Sequence, residues 1–177
     1  MREADATARL FFALWPDATL QGRLAAWACS AAARGRAMRR ENIHLTLAFL
    51  GDTPVARIPK LLALSRGVEF SPMRLQLDRV GYWKHNRILW CGASEDPPAL
   101  AALVDALRKR LDAAAIAYDR TPFVSHLTLM RNAAGLPPAP LWAQLIWEVR
   151  DFALVRSTRT DGRVTYQIVE RFSADCA

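Results

Sequence analysis

The sequence has few cysteines and no long apolar run. Its three cysteines, Cys29, Cys91 and Cys176, leave an odd count and contain no C-x-x-C spacing, which argues against a disulfide framework or a zinc knuckle. No apolar run approaches the length of a membrane span, and the opening MREADATARLFFALW has an apolar segment too short for a secretion signal. A chain of 177 residues can bury a sufficient core without such supports. We therefore expect a soluble protein of the reducing cytoplasm.

Negative charge is also in short supply. The chain has 24 lysines and arginines against 17 aspartates and glutamates, which gives a net charge of +7. Such a surplus favours polyanionic partners: RNA, DNA, nucleotides or a membrane surface. Ordinary solubility charge can produce the same total, so the surplus restricts the partners without identifying one.

Apolar periodicity predicts many strands and few helices. Helices are expected from Asp17 to about Ala33, from a Thr53 cap to about Arg66 (although Pro59 favours a later start), and over 98–113. The predicted strands are 8–15, 42–51, 73–83, 87–94, 122–130, 147–156 and 163–172. Connections are expected at His85-Asn86, at Asp161-Gly162 and in the proline-rich loop 134–140. Few helices and several hairpins indicate an α+β fold with antiparallel sheets.

Histidine is scarce, and two of the three histidines open the same tetrapeptide. HLTL stands at 44–47 and again at 126–129. Side chains alternate along a strand, so His44 and Thr46 share one face and the leucines share the other, which can be core. The same holds for His126 and Thr128. Two such strands facing each other would surround one cavity with two imidazoles and two hydroxyls.

Two imidazoles are suited to phosphoryl transfer. A neutral histidine can accept a proton from the nucleophile while a protonated one donates to the leaving oxygen. Threonine hydroxyls can bind the non-bridging phosphate oxygens, and the scheme requires no metal. A single His-x-Thr is commonly incidental, but the second copy weakens that interpretation. A metal site is disfavoured because no carboxylate accompanies the histidines on these strands. We interpret His85 as part of a surface turn.

The flanks of both motifs resemble a known family. RRENIHLTLAFLGD and TPFVSHLTLMRNA are similar to the paired H-x-[ST]-x motifs of the 2H phosphoesterase superfamily, and within it to the RNA 2′,3′-cyclic phosphodiesterases, also called the 2′-5′ RNA ligase family. RLFFALWPD, ILWCGAS and FALVRSTRTDGRVTYQIVERF are also similar, so the resemblance covers nearly the whole chain. It implies one bilobal α+β domain over 1–177, whose two intertwined pseudo-symmetric lobes line a central cleft with antiparallel sheets, with helices outside.

The resemblance also implies an activity. It is the metal-independent hydrolysis of a 2′,3′-cyclic phosphate at an RNA end or on a nucleoside, leaving a 2′-phosphate, without a cofactor. By resemblance His44 is the general acid and His126 the general base, while Thr46 and Thr128 bind the phosphate. We expect a monomer with no membrane association and no obligate protein partner. Two alternatives stay open: a 2H enzyme acting on 2′-5′ oligonucleotides or a cyclic phosphate of ADP-ribose, and a non-catalytic RNA-end binder.

Two further positions carry over from the family. Phe49 matches an aromatic residue that stacks on the terminal base, and Arg131 matches an arginine near the phosphate. Strict alternation puts both on the face opposite their histidine, so each is expected to lie past the regular end of its strand. The alternatives are a core phenylalanine and a surface cation. Ser125 departs from the family, which often has proline before the second histidine, and it keeps an N–H that proline lacks.

A cluster of arginines precedes the first motif, in RGRAMRR over 34–40. These side chains can guide an RNA end to the cleft through sequence-blind phosphate contacts, or they can form a solvated loop. The arginines concerned are Arg34, Arg36, Arg39 and Arg40.

Overall fold

The computed structural model describes residues 6–31, 34–137 and 145–174. This part of the chain holds three α-helices: α1 (Ala18–Ser30), α2 (Ile58–Arg66) and α3 (Pro98–Ala113). It also holds ten strands: β1 (Thr7–Leu14), β2 (Arg36–Ala37), β3 (Leu45–Pro54), β4 (Met73–Leu77), β5 (Arg79–Trp83), β6 (Ile88–Gly92), β7 (Leu127–Arg131), β8 (Leu145–Val149), β9 (Asp151–Thr160) and β10 (Arg163–Ser173). Every strand pairing is antiparallel, which confirms the predicted α+β class.

The strands form one large sheet and one small one. The order in the large sheet is β10-β9-β1-β3-β7-β6-β5, with β2 added beside β7. The small sheet contains β4 and β8. The two strands that continue the HLTL motifs, β3 and β7, are neighbours at the middle of the large sheet. They are joined there by a single ladder pair, Leu45 with Leu127.

This pairing relates the two motifs by a local two-fold axis. Leu45 and Leu127 occupy the same place in their tetrapeptides, and antiparallel strands that pair through equivalent residues are related by a two-fold rotation. Continuing the register by one residue places His44 across from Thr128 and Thr46 across from His126. Both histidines and both threonines therefore lie on the same face of the sheet.

The opposite face carries the main core. The leucines of both motifs are fully or almost fully buried there, against apolar side chains of all three helices. On α3 the predicted stripe of Leu100, Leu103, Val104, Leu107 and Leu111 is buried as expected. Asp17 caps α1 by accepting from the backbone N–H of Leu20 at 2.8 Å. The helices thus cover one face of the sheet and leave the histidine face open.

Several predicted boundaries were wrong. The expected Thr53 cap lies within a strand, because β3 pairs with β1 as far as Pro54, and α2 begins only at Ile58 after a short 3₁₀ turn. The later start that Pro59 favoured is the one observed. The segments 73–83 and 147–156 each divide into two strands that belong to different sheets. Asp78 marks the first division, where its carboxylate accepts from the backbone N–H and hydroxyl of Ser94.

The hairpins follow their turn residues as predicted. Residues around His85 join β5 to β6, and His85 is exposed. Asp161 and Gly162 both have positive φ, 50° and 74°, and join β9 to β10. Cys29 and Cys91 are free thiols, whereas Cys176, Ala33 and part of the loop 134–140 lie outside the described residues.

Candidate active site

A cleft of about 1380 Å³ lies on the open face of the large sheet. It brings together all six residues that the sequence nominated, from both halves of the sheet. They are His44, Thr46, Phe49, His126, Thr128 and Arg131. All six are partly buried, as expected for side chains that line a cleft on top of a packed sheet.

Each histidine stands immediately before its strand, whereas the sequence predicted both histidines within strands, 42–51 and 122–130. Nδ1 of His44 lies 2.7 Å from the carbonyl oxygen of Asn42, and Nδ1 of His126 lies 2.7 Å from that of Val124. A carbonyl oxygen only accepts, so Nδ1 is the donor in both rings. In the neutral imidazole Nε2 is then unprotonated and available to the cleft. The two motifs thus hold their rings by the same backbone contact two residues earlier.

Both motif strands contain a β-bulge three residues after the histidine. In β3, Ala13 pairs with Thr46 and Phe12 with Ala48, so Leu47 is the extra residue. In β7, Trp90 pairs with Thr128 and Leu89 with Met130, which makes Leu129 the extra residue. A bulge of one residue reverses the alternation beyond it. The two-fold relation therefore extends past HLTL.

These bulges correct the expectation for Phe49 and Arg131. Each lies five residues after its histidine and within its strand, not past its end as strict alternation required. Because the bulge shifts the alternation by one residue, both side chains return to the cleft face. The ring of Phe49 packs near Phe11, and the Arg9 guanidinium lies 4.8 Å from its centroid. The sequence signal of each bulge was an apolar residue directly after the last leucine of the HLTL motif, Ala48 in the first motif and Met130 in the second.

Aromatic side chains that the sequence reasoning missed surround His44. The Trp15 ring stacks on the imidazole at 5.0 Å with an interplanar angle of 3°. Phe11 lies 4.9 Å away and Tyr166 lies 5.1 Å away, edge-on. His126 contacts Trp83 at 4.5 Å. The two imidazoles therefore share a backbone anchor and differ in how closely they are enclosed.

This enclosure lowers the pKa of both histidines. Burial is the main cause for His44, whose pKa falls from 6.5 to about 4, and its hydrogen bond to Asn42 acts in the opposite direction. The nearby charges of His126 and Arg131 lower the pKa of His44 further. The pKa of His126 is also lowered, by burial and then by Arg131, against the hydrogen bond to Val124. Both shifts favour the neutral form of the imidazoles.

Positive charge dominates the cleft lining. Among the described residues that line it, one is acidic, Asp52, and six are arginines: Arg9, Arg36, Arg39, Arg131, Arg159 and Arg163. Arg36 belongs to β2, which pairs with β7 beside Arg131 and fixes the RGRAMRR segment at the edge of the cleft. Arg34 and Arg40 are exposed and do not line it. Such a surface attracts an anion.

Ser125, the position where the family often has proline, is buried beside the second histidine. Its hydroxyl has no hydrogen-bond partner among the described residues. Its carbonyl oxygen passes so close to Gly92 that an added Cβ there would lie 2.9 Å away. Gly92 therefore lets the chain approach β6 just before His126.

The described ranges contain neither a cluster of metal-ligating side chains nor a membrane-spanning helix. No three His, Cys, Asp or Glu side chains within residues 6–31, 34–137 and 145–174 are grouped so as to hold a metal ion. None of the helices in the same ranges is long and apolar enough to cross a membrane.

The chain is similar to known proteins in both sequence and fold. Residues 14–90 match the family described as LigT like Phosphoesterase. A protein named RNA 2′,3′-cyclic phosphodiesterase from Escherichia coli is 30% identical over 171 residues, which cover 93% of this chain and 96% of that protein. One of the same name from Thermus thermophilus is 33% identical over 143 residues, or 75% and 72% of the two chains. The crystal structure of E. coli LigT complexed with 3′-AMP superposes with a TM-score of 0.87 at 29% identity, covering 96% of this chain and 99% of that one.

Proposed function

Because the chain belongs to the LigT-like phosphoesterases of the 2H superfamily, which are enzymes, we propose that it hydrolyses 2′,3′-cyclic phosphates at RNA ends to 2′-phosphates. The relatives from E. coli and T. thermophilus are both named for this activity. The observation that carries the proposal for this chain is the pair of two-fold-related imidazoles in one cationic cleft.

The two-fold arrangement suits an in-line displacement at phosphorus. A phosphate held between the two motifs would meet one Nε2 on each side, as the attacking and leaving oxygens require. The hydroxyls of Thr46 and Thr128 and the guanidinium of Arg131 would bind the non-bridging oxygens, where negative charge increases. The preformed Nδ1 contacts keep both rings in the required tautomer before substrate arrives.

The proposed step exchanges the protonation states of the histidines. Neutral His126 accepts a proton from water as the water oxygen attacks phosphorus. The bond from phosphorus to the 3′ oxygen breaks, and protonated His44 donates its proton to that oxygen. The phosphate stays on the 2′ oxygen, and proton exchange with solvent restores both histidines. The same path run backwards joins RNA ends through a 2′-5′ bond.

The low pKa of His44 places a condition on its role as the acid. At neutral pH the imidazole of the free enzyme is uncharged, so it must acquire its proton as substrate binds. The anionic phosphodiester favours the protonated form, because an adjacent negative charge raises a histidine pKa. His126 also needs to stay neutral in the same complex. The bound phosphate therefore has to favour protonation of His44 over protonation of His126.

A substrate panel tests the function against its alternatives. With excess EDTA present, the chain is expected to open a 2′,3′-cyclic phosphate on an oligoribonucleotide with a higher kcat/KM than it shows for 2′-5′-linked oligonucleotides or a cyclic phosphate of ADP-ribose. A higher kcat/KM for either of the latter would replace the proposed substrate. RNA-end binding without turnover of any substrate would favour the non-catalytic binder.

The pH dependence of the reaction is expected to differ between kcat/KM and kcat. The productive form has one protonated and one neutral imidazole, and both pKa values are lowered in the free enzyme. The optimum of kcat/KM should therefore lie below about pH 6.5, the ordinary histidine pKa. Bound phosphate raises both pKa values, so the optimum of kcat should lie at higher pH. Single-turnover rates keep product release out of the comparison. A flat profile from about pH 5 to 9 would contradict paired acid–base catalysis.

A further inference from the structure

A second concavity adjoins the cleft at the tip of the β9–β10 hairpin. It has a volume of about 540 Å³ and is lined by Arg39, Thr160, Asp161, Arg163 and Thr165. Arg39 and Arg163 line the cleft as well, so the two cavities share a wall. A ligand seated at the histidines can therefore continue over the hairpin without leaving a concave surface.

The pairing of β9 with β10 shows where Arg159 and Arg163 lie relative to His44. Tyr166, whose ring contacts His44, pairs with Ser157, while Arg159 pairs with Val164. Arg159 therefore lies on the same face as Ser157, about 7 Å farther from the histidine along β9. Arg163 follows at the start of β10. Positive charge thus extends from the site toward the hairpin tip.

The arginines of this path have few carboxylate partners. Six of the described arginines lie within 4.0 Å of a carboxylate: Arg9, Arg39, Arg66, Arg74, Arg120 and Arg171. Arg159 and Arg163 are exposed and form no ion pair with the part of the chain that the structure describes. Arg39 has only an exposed contact with Glu41 at 3.7 Å. Neighbouring like charges repel, and an anionic strand would relieve that repulsion.

We infer that Arg39, Arg159 and Arg163 bind the backbone phosphates of the nucleotides that precede the reacting RNA end. This inference rests on the proposed function and makes it more specific, since the preferred substrate becomes an RNA strand rather than a free nucleoside cyclic phosphate. A nucleoside 2′,3′-cyclic phosphate fills only the histidine end of the cleft and has no further phosphate to offer. These contacts involve phosphates and no base, so the protein should prefer a longer RNA strand over a nucleoside without preferring any base sequence.

The test compares two substrates that share their reacting end. They are oligouridylate ending in a 2′,3′-cyclic phosphate and uridine 2′,3′-cyclic phosphate itself. In the variant Arg159→Ser with Arg163→Ser, the ratio of kcat/KM for the oligomer to kcat/KM for the nucleoside is expected to fall by roughly tenfold. The matched control is Arg23→Ser with Arg57→Ser, which removes two exposed arginines that line neither cavity and should leave the ratio unchanged. Circular dichroism checks that both variants fold.

A binding measurement keeps this inference separate from the proposed function. Fluorescence anisotropy of a labelled oligouridylate ending in a 2′-phosphate gives the slope of log affinity against log salt. Each lost phosphate contact should reduce the magnitude of that slope by about 0.7 for a single strand. Unchanged slope and unchanged substrate ratio in the Arg159/Arg163 variant would overturn the inference. Absence of turnover of both substrates would overturn the proposed function. The salt slope would still show whether these arginines bind the RNA phosphates.

Discussion

Replacing either cleft histidine with alanine is expected to lower kcat/KM for a cyclic-phosphate RNA end by about 10²–10⁴. Each variant removes one of the two proton transfers while leaving the strand that carries it in place. His85→Ala is the matched control, because His85 is the remaining histidine and lies exposed in a turn. The double variant should lose little more than the worse single one, since groups that act in one step are not additive. Full activity in either single variant would contradict the paired mechanism.

The two proton roles can be separated with a substrate that carries sulfur in place of the 3′ oxygen. A thiolate is a good leaving group without a proton, so this substrate removes the need for a general acid. If His44 is the acid, the loss in His44→Ala should largely disappear with the sulfur substrate, whereas the loss in His126→Ala should remain. Recovery of His126→Ala instead would reverse the assigned roles and leave the pairing intact.

Loss of the Arg131 guanidinium is expected to have the next largest effect. In the proposed complex it donates to a non-bridging phosphate oxygen, and removing one such donor typically costs about 10²–10³ in rate. Arg131→Gln should show a loss of this size. Arg131→Lys should lose less than Arg131→Gln but should not match the unmutated protein, because a lysine keeps the charge without the planar pair of donors.

Histidine titration by NMR distinguishes this role from a structural one. The charge of Arg131 lowers the pKa of both His44 and His126, so Arg131→Gln should raise both pKa values. Arg131→Lys, which keeps a positive charge, should raise them less. Arg23→Gln, on the exposed side of α1, should leave both titrations and the activity unchanged. A normal rate in Arg131→Gln would remove this residue from the site.

The parts of the fold that were predictable are those whose cause is local. The leucine stripe of α3 specifies a helix by its own spacing, and the helix covers the predicted residues 98–113. The turn at Asp161-Gly162 follows from two residues that tolerate positive φ. Where long-range pairing decides the outcome, local signals were overridden. Thr53-Pro54 has the form of a helix start, yet β1 holds both residues in a strand.

The residues of the candidate site could be nominated from the sequence, but their geometry could not. Two copies of HLTL are enough to nominate the histidines and threonines. Strict alternation then placed Phe49 and Arg131 on the wrong face, because a β-bulge depends on how the neighbouring strand pairs. The aromatic rings around His44 come from β1, its C-terminal end and β10, so no local pattern connects them to the motif. The arginines of the hairpin tip join the cleft for the same reason.

The most direct test of the paired-histidine account is the identity of the product formed without metal ions. The unmutated chain, in excess EDTA, would be incubated with an oligoribonucleotide ending in a 2′,3′-cyclic phosphate, beside the variant His44→Ala with His126→Ala. Chromatography against 2′-phosphate and 3′-phosphate standards identifies the product. The account predicts the 2′-phosphate alone from the unmutated chain and no product above background from the double variant. A 3′-phosphate product, loss of turnover in EDTA, or undiminished turnover by the double variant would contradict it.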